Sequence, residues 1–417
     1  MVLYDDNKIT IDGSTELSFT EDVLKRYEAY GWHTQSVEDG DSDIGAIATA
    51  VAAAKAETTR PSIIKVSTRI GFGSSKEGSE SAHGAPLGAD VLSAFKEKLG
   101  LKGDEKFAVA GDVMDFYKGA SERGVSAHKK WQETFEAYKG KYPAEAADIE
   151  RRFSGALPED IVASLPRFTP ADKADATRNL SGKALNALAE RLPEMFGGSA
   201  DLTPSNKTLL KITGDFQKET PAGRYIRFGV REHAMTSIAN GIAAFGGHLP
   251  FVATFLNFIG YAAGAARVTA LSHFRVLFVA THDSIGLGED GPTHQPVEML
   301  LMLRGMPNMD VYRPADGNET SASYGNYATR PGKPAVVALS RQNLPQLEGS
   351  SVEAAMRGGY MLQGGDGEGK PDLILCATGS EVCHCVEAAK LLTAEGGAAA
   401  GKRVAIVSLP CQEVFME

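Results

Sequence analysis

The stretch VLFVATHDSIGLGEDGPTHQP, from Val276 to Pro296, decides how the rest of the chain is interpreted. Its apolar start, Val276 to Ala280, predicts a buried strand because it is rich in β-branched and aromatic residues. Glycines and a proline then exclude a regular element, and the apolar run Val297 to Leu303 predicts a helix. The intervening residues include two histidines and three carboxylates: His282, His294, Asp283, Glu289 and Asp290. Ligands bind at strand ends of this kind in α/β proteins, so the clustering favours a site over a solvated loop.

Bulk composition excludes several classes of protein. The chain has 417 residues, enough for two or three domains, and its 43% hydrophobic and 23% charged residues are typical of a globular protein. A net charge of −10 and a pI near 5.5 argue against a nucleic-acid partner, which needs a basic surface. No apolar run approaches the length of a membrane span, so no membrane partner is expected. The four cysteines, Cys376, Cys383, Cys385 and Cys411, are expected to be free thiols.

Strands alternate with helices along most of the chain, and this pattern predicts an α/β fold with parallel sheets. The predicted strands include Ser62–Ser67, Tyr225–Gly229, Val276–Ala280, Ala335–Leu339, Leu373–Cys376 and Val404–Ser408. The predicted helices include Asp43–Ala56, Thr177–Leu192, Glu232–Ala244, Ala262–Leu271, Glu319–Ala328 and Glu381–Glu395, and Thr20 is expected to cap another. Between Leu99 and Pro170 the spacing predicts helices only. The sheets at both ends are too short to be covered on both faces, so the chain is expected to be cut at both ends.

A set of long motifs resembles transketolase, a thiamine-diphosphate enzyme. The central one is THDSIGLGEDGPTHQP, at Thr281 to Pro296. The others follow the family order: Tyr4–Gly13, His83–Asp90, Gly197–Asn206, Arg227–Met235, Thr254–Ala265, Arg313–Glu319 and Leu339–Gln346. The resemblance covers essentially the whole chain, and it implies a three-domain, parallel-sheet thiamine-diphosphate-binding fold.

The resemblance also implies the domain organisation. Residues 1–100 match the C-terminal part of a diphosphate-binding domain, and residues 101–170 form a helical connection. Residues 171–350 match a whole pyrimidine-binding domain, and residues 351–417 the start of a C-terminal domain. A family member truncated at its N-terminus and within its C-terminal domain is therefore expected.

Several residues match the family positions that hold thiamine diphosphate. Glu232 matches the acid that hydrogen-bonds the pyrimidine ring, although on spacing alone it is equally a first-turn glutamate stabilised by the helix dipole. Phe255, Phe258 and Tyr261 recur every third residue, match the slot that stacks on the pyrimidine, and on spacing alone are typical of core packing. The resemblance also implies cofactor roles for Asp201, His83 and Asn7.

The metal site implied by the resemblance lies near the start of the sequence. Asn7 and the backbone carbonyl of Ile9 match ligands of the divalent cation, Mg²⁺, Ca²⁺ or another, and both offer the hard oxygen donors that such ions prefer. The family's remaining protein ligand is an aspartate upstream of the matched segment, and no residue precedes Met1 in this sequence. The 417-residue chain alone is therefore expected to lack transketolase activity.

The substrate side of the resemblance implies a sugar-phosphate site. The matched binding positions are Arg178, Ser205, His282, Asp290, His294, Arg341 and His83. Arginines suit the phosphate because they form paired charge-assisted hydrogen bonds. His294 and His83 match the histidines at the reacting centre, and histidine is the natural proton carrier near neutral pH. Glu232, His294 and His83 are accordingly the expected catalytic residues.

The implied activity is reversible transfer of a two-carbon ketol unit from a ketose phosphate, such as xylulose 5-phosphate, to an aldose phosphate, such as ribose 5-phosphate. That reaction serves the pentose phosphate pathway or the Calvin cycle, in cytoplasm or plastid, and the family forms its sites at the subunit interface of a homodimer. Two alternatives stay open from the sequence: a dihydroxyacetone-synthase-like ketol transferase, and a catalytically silent truncated relative.

Overall fold

A computed structural model describes residues 1–365 and 370–417 of the chain. The described residues form two compact units, Met1–His128 and Lys129–Glu417. The boundary falls inside one helix of 31 residues, Gly111–Lys141. None of the helices in the described part of the chain is long and apolar enough to cross a membrane.

The first unit is built on a three-stranded parallel sheet, in which β5 lies between β1 and β4. Its strands are β1 (Val2–Asp6), β2 (Ile9–Thr10), β3 (Gly13–Ser14), β4 (His33–Val37) and β5 (Ser62–Ser67). Its helices are α1 (Val23–Ala29), α2 (Ile44–Ala56) and α3 (Ala89–Lys98), with 3₁₀ turns at Thr15–Leu17 and Glu80–Ala82. Helix α4 (Gly111–Lys141) begins in this unit and ends in the second. The strands β2 and β3 form a small antiparallel pair directly after β1.

The first unit has a small core between its sheet and α2. Ile64 and Val66 of β5 pack with Val37 of β4 against Ala50 and Ala54, all of them buried. The predicted strand Ser62–Ser67 and the predicted helix after Asp43 are confirmed, and the Asp43 side chain caps α2 by accepting a 2.8 Å hydrogen bond from the Ala46 amide.

The expected cap at Thr20 is wrong. Asp22 caps α1 instead, accepting from the Lys25 amide at 3.2 Å, so the helix begins two residues later than an N-cap at Thr20 requires. Both residues are favourable cap types, and the position of the first helical residue, Val23, decides between them.

The second unit contains most of the regular structure. Its strands are β6 (Asp175–Ala176), β7 (Met195–Ser199), β8 (Tyr225–Arg227), β9 (Leu249–Phe255), β10 (Leu277–Thr281), β11 (Asp310–Tyr312), β12 (Ala335–Leu339), β13 (Asn343–Leu344), β14 (Tyr360–Gln363), β15 (Leu373–Ala377) and β16 (Val404–Ser408). Its helices are α5 (Pro143–Ser154), α6 (Thr177–Arg191), α7 (Thr203–Asn206), α8 (Glu232–Phe245), α9 (Ala263–Leu271), α10 (Met299–Arg304), α11 (Gly317–Thr329), α12 (Val352–Ala355), α13 (Glu381–Thr393) and α14 (Gln412–Met416). Short 3₁₀ helices occupy Leu256–Ala262 and Ile285–Leu287.

A six-stranded parallel sheet in the order β11-β12-β10-β9-β7-β8 organises this unit. Alternate residues of β10 enter different cores, because successive side chains of a strand point to opposite faces. Val279 packs in the core that contains Leu185 of α6 and Tyr324 of α11, whereas Phe278 packs in the core that contains Met235 of α8. The sheet is therefore covered on both faces, as expected for an all-parallel sheet.

The last part of the chain forms a three-stranded sheet in which β16 pairs antiparallel with β14 and parallel with β15. Val382 and Val386 of α13 pack with Ile406 of β16 in its core, together with Ala315 and Ala322 of the preceding region. The parallel α/β architecture predicted from the sequence is thus observed in each unit, with one antiparallel strand in the last sheet.

Candidate functional site

The predicted site residues of the second unit gather at the carboxyl edge of its six-stranded sheet. Phe255 ends β9, His282 follows β10, Arg341 lies just after β12 and Asp201 just after β7. Because all of these strands are parallel, their carboxyl ends share one edge, the position at which α/β proteins bind ligands. Strand topology therefore brings together residues that are far apart in sequence.

Three aromatic rings form a row that leads away from the end of β9. The ring centroids of Phe255 and Phe258 are 5.3 Å apart, and those of Phe258 and Tyr261 are 5.9 Å apart. The segment Leu256–Ala262 is a 3₁₀ helix, in which side chains three residues apart eclipse one another. Tyr261 is 71% exposed at the outer end of this row. The three rings, which recur every third residue in the sequence, therefore lie on one face of this segment.

His282 lies against the buried end of the aromatic row. Its ring centroid is 3.8 Å from that of Phe255, and its side chain is buried. Burial and the nearby Arg178 lower the pKa of His282 to about 4, so the ring is neutral in the physiological range. The residue has a φ of 63°, which is uncommon for a residue with a side chain and is often found at functional sites.

His294 reaches the same aromatic row from the loop that follows β10. Its ring centroid is 5.0 Å from that of Phe258 and 5.7 Å from that of Phe255, in both cases edge to face. Its Nδ1 lies 2.8 Å from the hydroxyl of Thr293. The structure thus places both histidines of the opening stretch beside one aromatic surface.

Arg178 and Arg341 lie near each other because the residues just before them, Thr177 and Ser340, are hydrogen-bonded together. The pair β6 and β13 is antiparallel, and beside it the Ser340 amide donates to the Thr177 hydroxyl at 2.7 Å. Arg178 follows Thr177, and Arg341 follows Ser340. Burial, followed by the charge of Arg341, lowers the pKa of Arg178. Two cations that repel each other at the end of a sheet favour an anionic ligand.

Ser205 and Asp290 complete the predicted phosphate and sugar positions. Arg178 Nη1 donates to the Ser205 carbonyl oxygen at 3.2 Å, and Arg178 Nε is buried without a partner among the described residues. Asp290 is exposed on the loop after β10, and its charge opposes the lowering of the pKa values of Arg178 and His282.

Two further carboxylates of the opening stretch have other partners. Glu289 pairs with Arg341, its Oε1 accepting from Nη2 at 2.7 Å. Asp283 turns away from the site and accepts from Arg313 Nε at 2.8 Å in a buried pair. Of the three carboxylates in the opening stretch, Asp283 and Glu289 are therefore engaged with arginines, whereas Asp290 has no such pairing among the described residues.

Glu232 is the first residue of α8 and is 8% exposed. Within residues 1–365 and 370–417 its carboxylate has no hydrogen-bond partner. One turn further along the same helix, the Thr236 hydroxyl is buried without a partner, and the Thr254 hydroxyl of β9 is in the same state. Buried polar groups normally find partners, so the Thr236 and Thr254 hydroxyls identify a region suited to a polar ligand, next to the Glu232 side chain.

The sequence did not predict a series of buried side-chain hydrogen bonds that ends at His282. Ser199, Asn206 and Thr281 connect β7, α7 and β10, and Thr281 contacts His282. The motif Gly197–Asn206 contains two of these residues, but nothing in the sequence predicts their partners. Asp201 lies beside them with a φ of 61° and an exposed side chain.

The predicted metal and histidine positions of the first unit lie on two separate segments. Lys8 has a φ of 62°, and this turn lets Asn7 Oδ1 accept from the Ile9 amide at 3.1 Å. His83 is exposed after the 3₁₀ turn Glu80–Ala82. In the described part of the chain, no group of three or more His, Cys, Asp and Glu side chains is arranged to hold a metal ion.

Comparison with known families matches three consecutive models. Residues 1–158 match the transketolase thiamine diphosphate binding domain, residues 173–346 the transketolase pyrimidine binding domain, and residues 358–417 the transketolase-like C-terminal domain. The fold is therefore that of the thiamine-diphosphate-binding α/β proteins.

Similar proteins agree with this assignment. Transketolase 1 of Saccharomyces cerevisiae is 52% identical over 98% of this chain and 60% of its own length. The chloroplastic transketolase of Craterostigma plantagineum is 48% identical over all of this chain and 80% of its own length. A crystal structure of Pichia stipitis transketolase in complex with sedoheptulose 7-phosphate has a TM-score of 0.94 and 51% identity, covering all of this chain and 61% of that one. The chain belongs to the transketolase family, and it spans about three fifths of the length of the first of these relatives.

Proposed function

We propose that this chain supplies part of a transketolase, which reversibly transfers a two-carbon ketol unit from a ketose phosphate to an aldose phosphate. The observation that carries the proposal is the convergence of Arg178, Arg341 and His282 beside the Phe255–Phe258–Tyr261 row at one sheet edge. This edge combines an anion-binding end with an aromatic surface, as a phosphorylated sugar and a heteroaromatic cofactor together require. Xylulose 5-phosphate and ribose 5-phosphate are the substrates chosen for the test.

The residues present fit thiamine diphosphate. The aromatic row offers ring faces on which a pyrimidine ring can stack, and Glu232, a residue only 8% exposed, forms no side-chain hydrogen bond among the described residues. Glu232 would hydrogen-bond the ring and hold the proton there. Bound thiamine diphosphate supplies a nucleophilic carbon and an electron sink for breaking the bond between C2 and C3 of the sugar. Asp201, His83 and Asn7 are proposed as further cofactor contacts.

The phosphate of the sugar is assigned to Arg178, Arg341, Ser205 and His282. The two guanidinium groups supply charge-assisted donors. Arg178 Nε is buried and has no hydrogen-bond partner among the described residues, so binding a phosphate there breaks no existing hydrogen bond of this atom. His282 is neutral because burial lowers its pKa, so it contributes a directional hydrogen bond and no charge.

Proton movement is assigned to His294 and His83, with Asp290 orienting the sugar hydroxyls. As the C2–C3 bond breaks, the C3 hydroxyl loses its proton and becomes a carbonyl. When the new C–C bond forms, the acceptor aldehyde oxygen gains a proton. His294 is half-buried beside Phe258 and can exchange protons with solvent between these steps.

A divalent cation, Mg²⁺ or Ca²⁺, is proposed at Asn7 and the Ile9 carbonyl. The turn at Lys8 brings these two residues together, and an amide and a carbonyl are suitable hard donors. Such ions take six or more oxygen ligands. The remaining ligands would therefore be oxygens of the diphosphate, of water or of further protein groups.

The larger organisation is proposed from the family. Residues 1–100 belong to the diphosphate-binding domain, 101–170 to a helical connection, 171–350 to the pyrimidine-binding domain and 351–417 to the C-terminal domain. A homodimer with sites between subunits follows from the family's pairing of diphosphate and pyrimidine domains. Action in the pentose phosphate pathway or the Calvin cycle, in cytoplasm or plastid, is compatible with relatives that include a chloroplastic one.

The experiment measures ketol transfer from xylulose 5-phosphate to ribose 5-phosphate, with thiamine diphosphate and Mg²⁺. It compares the longest protein that the gene encodes with the 417-residue chain, and each with its Glu232→Gln variant. The proposal expects activity in the longest protein and a loss of about 100-fold or more in the variant. Glu190→Gln, at an exposed glutamate of the same unit, is the control. Equal activity in the longest protein and its Glu232→Gln variant would overturn the assignment.

A further inference from the structure

A buried chain of hydrogen bonds runs beneath His282 from one strand end to the next. The Ser199 hydroxyl lies 2.7 Å from Asn206 Oδ1, Asn206 Nδ2 lies 2.8 Å from Thr281 Oγ1, and Thr281 Oγ1 lies 2.9 Å from His282 Nδ1. All four side chains are 2% exposed or less. Water is therefore excluded, and each donor has to be matched by an acceptor within the protein.

The orientation of the Asn206 amide is fixed by a backbone carbonyl. The Thr254 carbonyl oxygen lies 3.2 Å from Asn206 Nδ2 and can only accept a hydrogen bond. The amide nitrogen therefore occupies this side of Asn206, and the Oδ1 atom faces the Ser199 hydroxyl. It follows that Asn206 donates to Thr281, and the Thr281 oxygen accepts.

The Thr281 hydroxyl can then donate its hydrogen bond to one atom only among the described residues. Among the described residues, the second contact of Thr281 Oγ1 is His282 Nδ1. If Nδ1 carried a proton, the Thr281 oxygen would accept twice and its own buried hydrogen would have no acceptor, which is costly. The arrangement in which Thr281 donates to a bare Nδ1 satisfies every group. The ring proton of neutral His282 then resides on Nε2.

We infer that Asn206 is a positioning residue which, acting through Thr281, holds His282 in the tautomer that presents an Nε2–H donor to the substrate phosphate. The tautomer follows from the contacts alone, whereas the phosphate as recipient rests on the proposed function. The lowered pKa of His282 agrees with a neutral ring. In the opposite tautomer a bare Nε2 would face the phosphate oxygens and repel them.

The variant Asn206→Asp tests which group donates and which accepts in the hydrogen bonds from residue 206 through Thr281 to His282. An ionised carboxylate in this place can only accept, so the Thr281 hydroxyl would donate to it and the Thr281 oxygen would accept from Nδ1–H. The tautomer of His282 should therefore reverse. Long-range ¹H–¹⁵N spectra of protein labelled with [¹⁵N]histidine report this directly. They are recorded over a range of pH that extends to the alkaline side, because burial raises the pKa of a carboxyl group and the reversal requires its ionised form. In the parent protein we expect a bare Nδ1 and a protonated Nε2, and in the variant the reverse.

Two further variants separate positioning from folding. Thr281→Val removes the hydroxyl and should leave His282 as a mixture of both tautomers, whereas Thr281→Ser should restore the Nε2–H form. Asn186→Asp is the matched control, because Asn186 is also a buried asparagine, which donates to the Gly182 and Leu209 carbonyls. It should leave the His282 spectrum unchanged. A protonated Nδ1 in the parent, or no change in either Asn206→Asp or Thr281→Val, overturns the inference.

Enzyme kinetics of the longest protein that the gene encodes test whether the substrate phosphate accepts the hydrogen bond from His282 Nε2–H. Asn206→Asp should raise KM for xylulose 5-phosphate about 10- to 100-fold, the value of one hydrogen bond to a charged group. The KM for xylulose, which lacks the phosphate, should not change, and kcat should change little with either sugar. A reversed tautomer with unaltered KM for xylulose 5-phosphate would uphold the positioning by Asn206 and overturn the assignment of His282 to the phosphate.

Discussion

Arg313 and Asp283 form a buried ion pair, with Nε donating to Oδ2 at 2.8 Å and side chains that are 7% and 2% exposed. Arg313 also donates to the Thr378 carbonyl at 2.9 Å and the Ser380 hydroxyl at 3.1 Å, and it pairs with Glu381. Asp283 directly follows His282. The loop that carries the site is therefore connected through one guanidinium to the start of α13.

Replacing Arg313 is expected to destabilise the protein strongly. Arg313→Met leaves the Asp283 carboxyl buried without its cation, and breaking such a pair costs about 3–5 kcal/mol. Urea denaturation measures the change in the free energy of unfolding. Arg227→Met is the matched control, because the Arg227–Asp215 pair is solvent-exposed and should contribute at most about 1 kcal/mol. Equal losses in the two variants would show that burial of the first pair has no energetic consequence.

Stability is expected to fall as the pH rises from about 5 to about 8. Burial and the neighbouring Asp316 raise the pKa of Glu319 from 4.5 to about 7 in the folded chain. Between these values the folded state binds the proton more strongly than the unfolded state, so this stabilisation is full below about 4.5 and is lost as the pH approaches 7. The loss should be up to about 3 kcal/mol in urea denaturation.

Glu319→Gln should remove most of this pH dependence, because an amide does not titrate. Glu353→Gln is the control, since Glu353 is an exposed carboxylate whose pKa is lowered by its pairing with Arg167. The control should keep the fall in stability of the parent. If parent and Glu319→Gln show the same profile, another group governs the pH dependence.

Removing the central ring of the aromatic row is expected to weaken cofactor binding. Phe258→Ala separates Phe255 from Tyr261 and eliminates both ring contacts of 5.3 and 5.9 Å. The affinity for thiamine diphosphate should fall about 10-fold or more, from lost stacking and lost buried area. Fluorescence titration of the longest protein that the gene encodes measures it. Phe216→Ala, which removes a ring that contacts Phe196, should leave the affinity unchanged.

The exposed carboxylate of Glu289 is expected to compete with the substrate phosphate for Arg341. Glu289→Gln should lower KM for xylulose 5-phosphate about 1.5- to 5-fold, the range for an exposed ion pair. The difference should shrink at high ionic strength because salt screens such pairs. Glu298→Gln, at another exposed glutamate beyond the same loop, is the control. An unchanged or higher KM in Glu289→Gln would show that the carboxylate does not compete.

Buried strands were predictable from the sequence, and polar or exposed elements were not. Ala335–Leu339 is apolar throughout and buried on both sides, so its boundaries agree with the prediction. The strand His33–Val37 has only one buried residue and forms because it pairs with Ser62–Ser67. Helix Gly111–Lys141 has no buried residue and contains interior glycines, so its bounds could not be predicted from the sequence.

The candidate site shows the same division. Long motifs identified His282, Arg341 and the aromatic residues individually, because each belongs to a recognisable segment. The hydrogen bond between Asn206 and Thr281 joins residues 75 positions apart, and no local pattern predicts such a contact. Likewise, the pairing of Asp283 with Arg313 depends on where two strands end in the folded sheet.

The hydrogen bonds between Thr177 and Ser340 join residues 163 positions apart, before the first and after the last strand of the six-stranded sheet. Arg178 and Arg341, which follow these residues, are separated by the same length of chain. An anion held by both arginines would act as a reversible cross-link that closes this long loop. Binding of the anion would therefore reduce local opening of β6 and of β13 at the same time. We expect amide hydrogen exchange in both strands to slow as the fraction of protein bound to sugar phosphate increases.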